Sequence, residues 1–269
     1  SLPGDILNSE VGMELGKRTR IDTASRPSDD ALGRIADRML AAKNPAIISG
    51  NEVVTSDALD EIALFAETLG AATYQQTIPY GSHFLSEHPA FMGALTRVQK
   101  QVRDELSQYD LLIVVGSDPV RMSVYSEIEP MPPELSILQF GLHDWEMGKN
   151  YPTEMAVRSD VRETISALIP VLRSKGGDGL AETARQRIGA LEGRNWSARR
   201  DVKREAAQKL GAAEPIAPDW LMIQIVDSLP ANAMVVNESL TTGWGLQNML
   251  PYCDRYSFHA NASGGIGWG

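Results

Sequence analysis

The chain has one cysteine in 269 residues, Cys253, so no internal disulfide can form. A lone cysteine fits a reducing compartment, and Cys253 is expected to be a buried structural thiol, not a nucleophile. Four histidines are present, and His83 and His88, five apart, have no cysteine or carboxylate set at zinc spacing around them. No apolar run approaches the roughly 18 to 20 residues that cross a bilayer, and the N-terminus has no basic, apolar, small-residue signal. The membrane is therefore not expected as a partner, and the expected location is cytoplasmic. Positive charge is scarce: 25 Lys and Arg face 35 Asp and Glu, for a net charge of -10, which repels a phosphate backbone and argues against nucleic acid. P-loop, dinucleotide fingerprint and nucleophile elbow are all missing, as are internal repeats and low-complexity tracts.

What remains is the composition of a soluble globular protein, 43% hydrophobic and 22% charged, long enough for one large domain or two smaller ones. The stretch Asp110-Leu111-Leu112-Ile113-Val114-Val115-Gly116-Ser117-Asp118-Pro119 organises it. Five aliphatic residues, entered from an acidic turn and left through Gly-Ser-Asp-Pro, describe a strand buried on both faces. In open α/β sheets ligands collect in the crevice beyond the carboxyl ends of the strands. Residues 117–125 are thus read as a loop at a working edge, with Arg121, Ser123 and Tyr125 as substrate-loop candidates. A plain βα turn fits the same residues.

Residues 8–27 are polar and carry no sustained period, which reads as a linker. Ser28 is placed to cap a helix whose inward face is Leu32, Ile35, Ala36, Met39 and Leu40. A short strand follows over 45–50, then a helix capped by Ser56-Asp57 and closed by Gly70. Further strands are expected over 71–77, 111–115, 135–140 and 154–157, with helices over 98–106 and 160–172. Strands alternating with helices argue for a doubly wound, mainly parallel α/β sheet. Residues 175–179 read as flexible and the next thirty as a charged connecting helix. Beyond Pro215 and Pro218 comes another helix and a buried strand over 233–238, ending on Glu238. Both ends of the chain look cut.

Several side chains admit two readings. Glu238 and Ser239, with Thr241 and Thr242, stand where a doubly wound sheet places ligand contacts, yet could equally cap the next helix. Gly177-Asp178-Gly179 imitates a metal-diphosphate motif but follows a helix end, so it is read as a decoy. His143 with Asp144 and Glu146 could exchange protons, or decorate a turn.

Six segments together resemble the thiamine diphosphate-dependent enzymes of the benzoylformate decarboxylase and acetolactate synthase group. They are Ser1-Leu2-Pro3-Gly4-Asp5-Ile6-Leu7; residues 45–50; Glu87-His88-Pro89-Ala90-Phe91-Met92-Gly93; residues 109–116; Glu146-Met147-Gly148-Lys149-Asn150-Tyr151-Pro152; and Asn237-Glu238-Ser239 with Ser263-Gly264-Gly265-Ile266-Gly267-Trp268-Gly269. The resemblance implies the tail of a pyrimidine-binding domain and linker over 1–27, a Rossmann-like central domain over 28–175, a connecting linker over 176–215, and the start of a pyrophosphate-binding domain over 216–269. It implies thiamine diphosphate and Mg2+ in the parent enzyme, a 2-oxo acid as substrate, decarboxylation or carboligation as reaction, and at least a homodimer or homotetramer with shared sites. By the same resemblance the Gly264 carbonyl accepts from the cofactor's 4'-amino group, Ile266 holds the cofactor bent beside Gly265, and Glu238 and Ser239 line that pocket. The activating glutamate and the metal ligands are not among these residues, so the chain alone is expected to be inactive. Where benzoylformate decarboxylase carries a catalytic histidine, this chain reads Arg121-Met122-Ser123, which argues against benzoylformate itself. The alternative is a nucleotide-binding module holding FAD or ADP at Gly50-Asn51 and Gly116-Ser117, or a structural spacer.

Overall fold

The computed structural model describes residues 3–22, 24–77, 79–122, 125–239 and 241–261. A helical turn, α1 (Gly4–Leu7), is the first element. Pro3 fixes the entry and its carbonyl accepts from the Leu7 N–H at 3.1 Å, and no residue of the turn is buried. An exposed segment then leads to α2 (Asp29–Leu40), where the Ser28 hydroxyl accepts from the Ala31 N–H and Leu32, Ile35, Ala36 and Met39 are buried.

The central unit runs β1 (Pro45–Ser49), α3 (Asn51–Thr55), α4 (Leu59–Leu69), β2 (Ala72–Gln75), β3 (Phe91–Ala94), α5 (Gln99–Leu106), β4 (Leu111–Val115), β5 (Ser136–Gly141), a 3-10 turn (Asp144–Glu146), β6 (Met155–Arg158) and α6 (Val161–Gly189). All neighbouring strands are parallel, in the order β3-β2-β1-β4-β5-β6. The order reverses between β1 and β4, which makes the gap beyond their carboxyl ends the topological switch point. Every residue of these two strands is buried, as continuous aliphatic runs in a sheet covered on both sides require. Ile47 of β1 stands in register with Thr73 of β2 and Ile113 of β4. The edge strand β6 alternates half-buried and exposed residues.

Polar ties join the amino ends of the central strands β1 and β4. The Asp110 carboxylate accepts from the Lys43 and Asn44 N–H groups at 2.7 and 2.8 Å. Burial alone would raise its pKa, but these two bonds and the Arg38 charge bring it below the usual carboxylate value. Helices α2, α4 and α6 pack together. Arg187 near the end of α6 donates to the Leu69 and Ala42 carbonyls at 2.9 and 2.7 Å.

Two expectations are corrected here. Ser56 and Asp57 do not cap α4: α3 intervenes, Ser56 closes it, Asp57 turns through φ 53° and α4 begins after Ala58. Gly70 does close α4, at φ 65°. Residues 175–179 are not a loose break, because the helix begun at Asp160 resumes after one kink at Gly177 (φ 56°, ψ -154°) and continues to Gly189. Asp178 is exposed within it.

Beyond it, α7 (Trp196–Gln208), α8 (Pro218–Ser228), β7 (Val235–Asn237), α9 (Gly243–Gln247) and β8 (Phe258–Ala260) gather around a second core containing Met222, Ile223, Met249, Tyr252 and Phe258. Strand β7 pairs in parallel with β8. It is half-buried, not buried as expected, with Val236 51% exposed, because among the described residues this sheet has two strands.

Candidate functional site

The switch-point crevice, about 140 Å3, opens between the loops that follow β1, β4 and β5. Glycine ends each of these strands, and each admits the chain itself. A Cβ on Gly50 would lie 2.2 Å from the Ser117 Cβ, and one on Gly116, at φ 60°, would lie 2.5 Å from the Glu52 Cβ. A Cβ on Gly141 would lie 2.8 Å from Glu52 Oε2. Ser117 takes the space at Gly50, and the space at Gly116 and Gly141 is filled by Glu52, 5% exposed in the first turn of α3. Its carboxylate accepts from the Leu142 N–H at 2.6 Å and the His143 N–H at 3.3 Å, and His143 Nε2 lies 3.7 Å away. An internal anion thus takes the backbone amides that an anionic ligand would use in such a crevice.

On the opposite wall Arg121 donates from Nε to Asp118 Oδ2 at 2.5 Å, with the Asp118 carboxylate 8% exposed. Burial would lower the Arg121 pKa, but the hydrogen bond and charge of Asp118 outweigh it and leave the guanidinium raised. The Arg121 backbone also exchanges hydrogen bonds with Thr77 Oγ1, donating at 3.0 Å and accepting at 2.9 Å. Ser117 Oγ donates to Gln76 Oε1 at 2.7 Å. Of the loop candidates, Arg121 lines the crevice, Tyr125 is 88% exposed outside it, and Ser123 lies outside the described residues.

The second candidate cluster stands at the carboxyl end of β7. Ser239 does not cap α9. Its N–H and Oγ both donate back to Asn237 Oδ1, at 3.0 and 2.6 Å, because an asparagine at a strand end closes a tight turn on its own side chain. Glu238 is half-buried and Ser239 exposed. Parallel pairing puts the ends of β7 and β8 at one edge, with Asn237 in register with Ala260, the last residue of β8. Gly264, Gly265 and Ile266 lie outside the described residues.

Among the described residues no three His, Cys, Asp or Glu side chains gather to hold a metal, and no helix is long and apolar enough to cross a membrane. Cys253, expected to be buried, is exposed in the turn before β8, where its N–H is held by Ser257 Oγ at 3.0 Å. Sequence reasoning passed over Glu52 and weighed His83 only as a metal ligand. Glu52 sits among β-branched residues in a helix of five residues, and nothing local marks it. His83 is fully buried, neither ring nitrogen has a hydrogen-bond partner among the described residues, and desolvation lowers its pKa to about 3. Its ring meets that of Tyr80 edge-on at 5.3 Å.

Residues 32–168, spanning α2 to α6, match the family described as thiamine pyrophosphate enzyme, central domain. The chain is 22% identical to the benzoylformate decarboxylase of Pseudomonas aeruginosa over 260 residues, covering 96% of this chain and 45% of that one. It is 22% identical to an acetolactate synthase of Mycobacterium avium over 192 residues, 68% of this chain and 30% of that one. In three dimensions it resembles the benzoylformate decarboxylase of Polynucleobacter necessarius with a TM-score of 0.74 at 20% identity, over 96% of this chain and 45% of that one. The chain thus spans less than half the length of these relatives. It belongs to the thiamine pyrophosphate enzymes, and residues 32–168 are their central domain.

Proposed function

We propose that the protein carrying this chain cleaves or forms a carbon–carbon bond beside the carbonyl of a 2-oxo acid, as a decarboxylase or carboligase using thiamine diphosphate and Mg2+. The observation that carries this reading is the edge formed by β7 and β8. A carboxylate and a hydroxyl, Glu238 and Ser239, stand at the end of one strand. The neighbouring strand ends at Ala260, and the Gly264 to Gly269 stretch follows it in sequence. A polar strand end, in register with a strand that a glycine-rich stretch follows in sequence, fits the aminopyrimidine side of the cofactor, which needs hydrogen-bond acceptors and a close backbone approach. In this proposal the Gly264 carbonyl accepts from the 4'-amino group, Ile266 fixes the bend, and Glu238 and Ser239 line the same pocket. When bound, the cofactor supplies a carbon nucleophile that also takes up the electron pair left by bond cleavage. Among the described residues no three His, Cys, Asp or Glu side chains gather that could hold magnesium.

The same reading assigns residues 28–175 to a central domain, 176–215 to a connection and 216–269 to the start of a pyrophosphate-binding domain, following the tail of a pyrimidine-binding domain over 1–27. It also assigns the protein a dimer or tetramer with sites shared between subunits. An apolar wedge acts by positioning, so Ile266→Ala is expected to lower kcat at least tenfold while the protein stays folded. Unchanged kcat would remove Ile266 from the site.

A nucleotide-binding role for the central domain has one structural observation against it. A pyrophosphate at the switch point would meet the Glu52 carboxylate on the amides it needs, and like charges at about 4 Å repel by roughly 4 kcal/mol near a protein surface. Titration of the protein with FAD and ADP is expected to give no binding.

A further inference from the structure

We propose that a pocket at the carboxyl edge of β2 and β3 binds a small organic carboxylate with a flat apolar body. Strand β3 carries an irregularity there. Thr73 pairs with Phe91 but Gln75 pairs with Ala94, so one extra residue is accommodated on β3, at Met92-Gly93. Bulges of this kind re-aim side chains at sheet edges, and Gly93 adopts φ 85°, the left-handed region that glycine tolerates. The bulge also lets α7 approach closely. A Cβ on Gly93 would stand 3.3 Å from Trp196 Cδ1 and 3.4 Å from Arg199 Nη2.

A pocket of about 380 Å3 results, within the range that encloses small molecules. Aromatic side chains form much of its wall: Phe91, Trp196 and Tyr252, each no more than 5% exposed. Trp196 is held in place by Phe91, with ring centroids 6.1 Å apart, and by the Arg200 guanidinium 5.0 Å from its ring centroid. Such a surface is prearranged for a planar apolar group and costs little to order on binding.

The charge of the lining is the second observation. Arg97 and Lys203 line the pocket, and no aspartate or glutamate does among the described residues, in a chain where acids outnumber bases 35 to 25. Lys203 is held below the usual lysine pKa by partial burial and then by the Arg199 charge, against the pull of Asp219. Cations at the rim and aromatics on the wall select one ligand chemistry. The carboxylate faces Lys203 and Arg97 while the flat body lies on Trp196 and Phe91.

The test is calorimetric titration of the protein with benzoate, using benzamide and inorganic phosphate as controls. Benzoate is expected to bind, benzamide at least tenfold more weakly for want of charge, and phosphate at least tenfold more weakly for want of an apolar body. Lys203→Gln is expected to weaken benzoate at least fivefold. Ala94→Trp, placing bulk into the pocket from an exposed strand end, is expected to abolish binding, with circular dichroism melts reporting the fold of each variant. No heat with benzoate, phosphate binding as tightly as benzoate, or affinity unchanged in Lys203→Gln would overturn the proposal. Should Ala94→Trp fail to fold, Lys203→Gln decides.

Discussion

The Glu52 carboxylate receives the Leu142 N–H at 2.6 Å across ninety residues of sequence, joining the loop after β1 to the loop after β5 over the carboxyl end of β4. One buried side chain thereby occupies the place where sheets of this order receive ligands. Glu52→Ala leaves two backbone N–H groups without an acceptor and is expected to cost about 2 to 4 kcal/mol, read from chemical denaturation midpoints. Glu52→Gln keeps one acceptor oxygen and is expected to cost about 1 to 2 kcal/mol. A loss below 0.5 kcal/mol in both, on the scale of an ordinary surface change, would show the tie to be unimportant.

Gly116 offers a steric test of the same arrangement. Its φ of 60° disfavours any side chain, and a Cβ would press within 2.5 Å of the Glu52 Cβ. Gly116→Ala is expected to lose about 2 kcal/mol or more, from backbone strain and displacement of α3 together. Gly177, also at positive φ, has nothing within 4 Å of its Cβ position, so Gly177→Ala should cost about 1 kcal/mol. Equal losses at the two positions would contradict the steric account.

His83 gives the fold an acid dependence. Desolvation lowers its pKa from 6.5 to about 3, so between those values the unfolded chain binds a proton that the folded chain refuses. Its contribution to stability is present above pH 6.5 and is lost as the pH falls towards 3. The loss reaches about 3 kcal/mol at pH 4. His83→Leu should flatten the stability profile between pH 6.5 and 4 relative to the parent. Parallel profiles would mean that His83 pairs or protonates in the folded state.

The parts of the fold legible in the sequence are those where local pattern and tertiary demand agree. Strands β1, β4 and β5 are continuous apolar runs because sheet neighbours and helices bury both their faces. Ser28 and Gly70 mark helix ends by chemistry that acts within four residues. Other features depend on distant contacts. Phe91-Met92-Gly93-Ala94 has too few β-branched residues and a central glycine, and becomes β3 only by pairing with β2. Asn51-Glu52-Val53-Val54-Thr55 has strand-like composition, yet forms α3 because β1 has ended and Gly50 packs against Ser117. Gly176-Gly177 suggests a break, but α6 is held on both sides of it, by Lys175 to Asp37 at 2.6 Å and by Arg187 to Leu69. Among candidate site residues, Arg121 reached the crevice because it follows the β4 loop directly. Glu52 depends on partners ninety residues away, which no local signal encodes.

The Arg121 loop separates an active central domain from a spacer. Arg121 holds Asp118, so Arg121→Met leaves a nearly buried carboxylate without its cation and is expected to cost about 1 to 2 kcal/mol of stability. If the loop contributes to substrate handling, Arg121→Met and Tyr125→Phe change kcat/KM of the protein. Unchanged steady-state kinetics in both, at saturating cofactor, would assign the loop a structural role alone.

The most direct measurement is turnover of a panel of 2-oxo acids by the whole protein that carries this chain, followed as substrate loss and carbon dioxide release, with and without thiamine diphosphate and Mg2+. The account predicts consumption of at least one 2-oxo acid that depends on added thiamine diphosphate and falls at least tenfold in Ile266→Ala. A folded protein that binds thiamine diphosphate yet consumes no 2-oxo acid, or consumes one equally well in that variant, would contradict it.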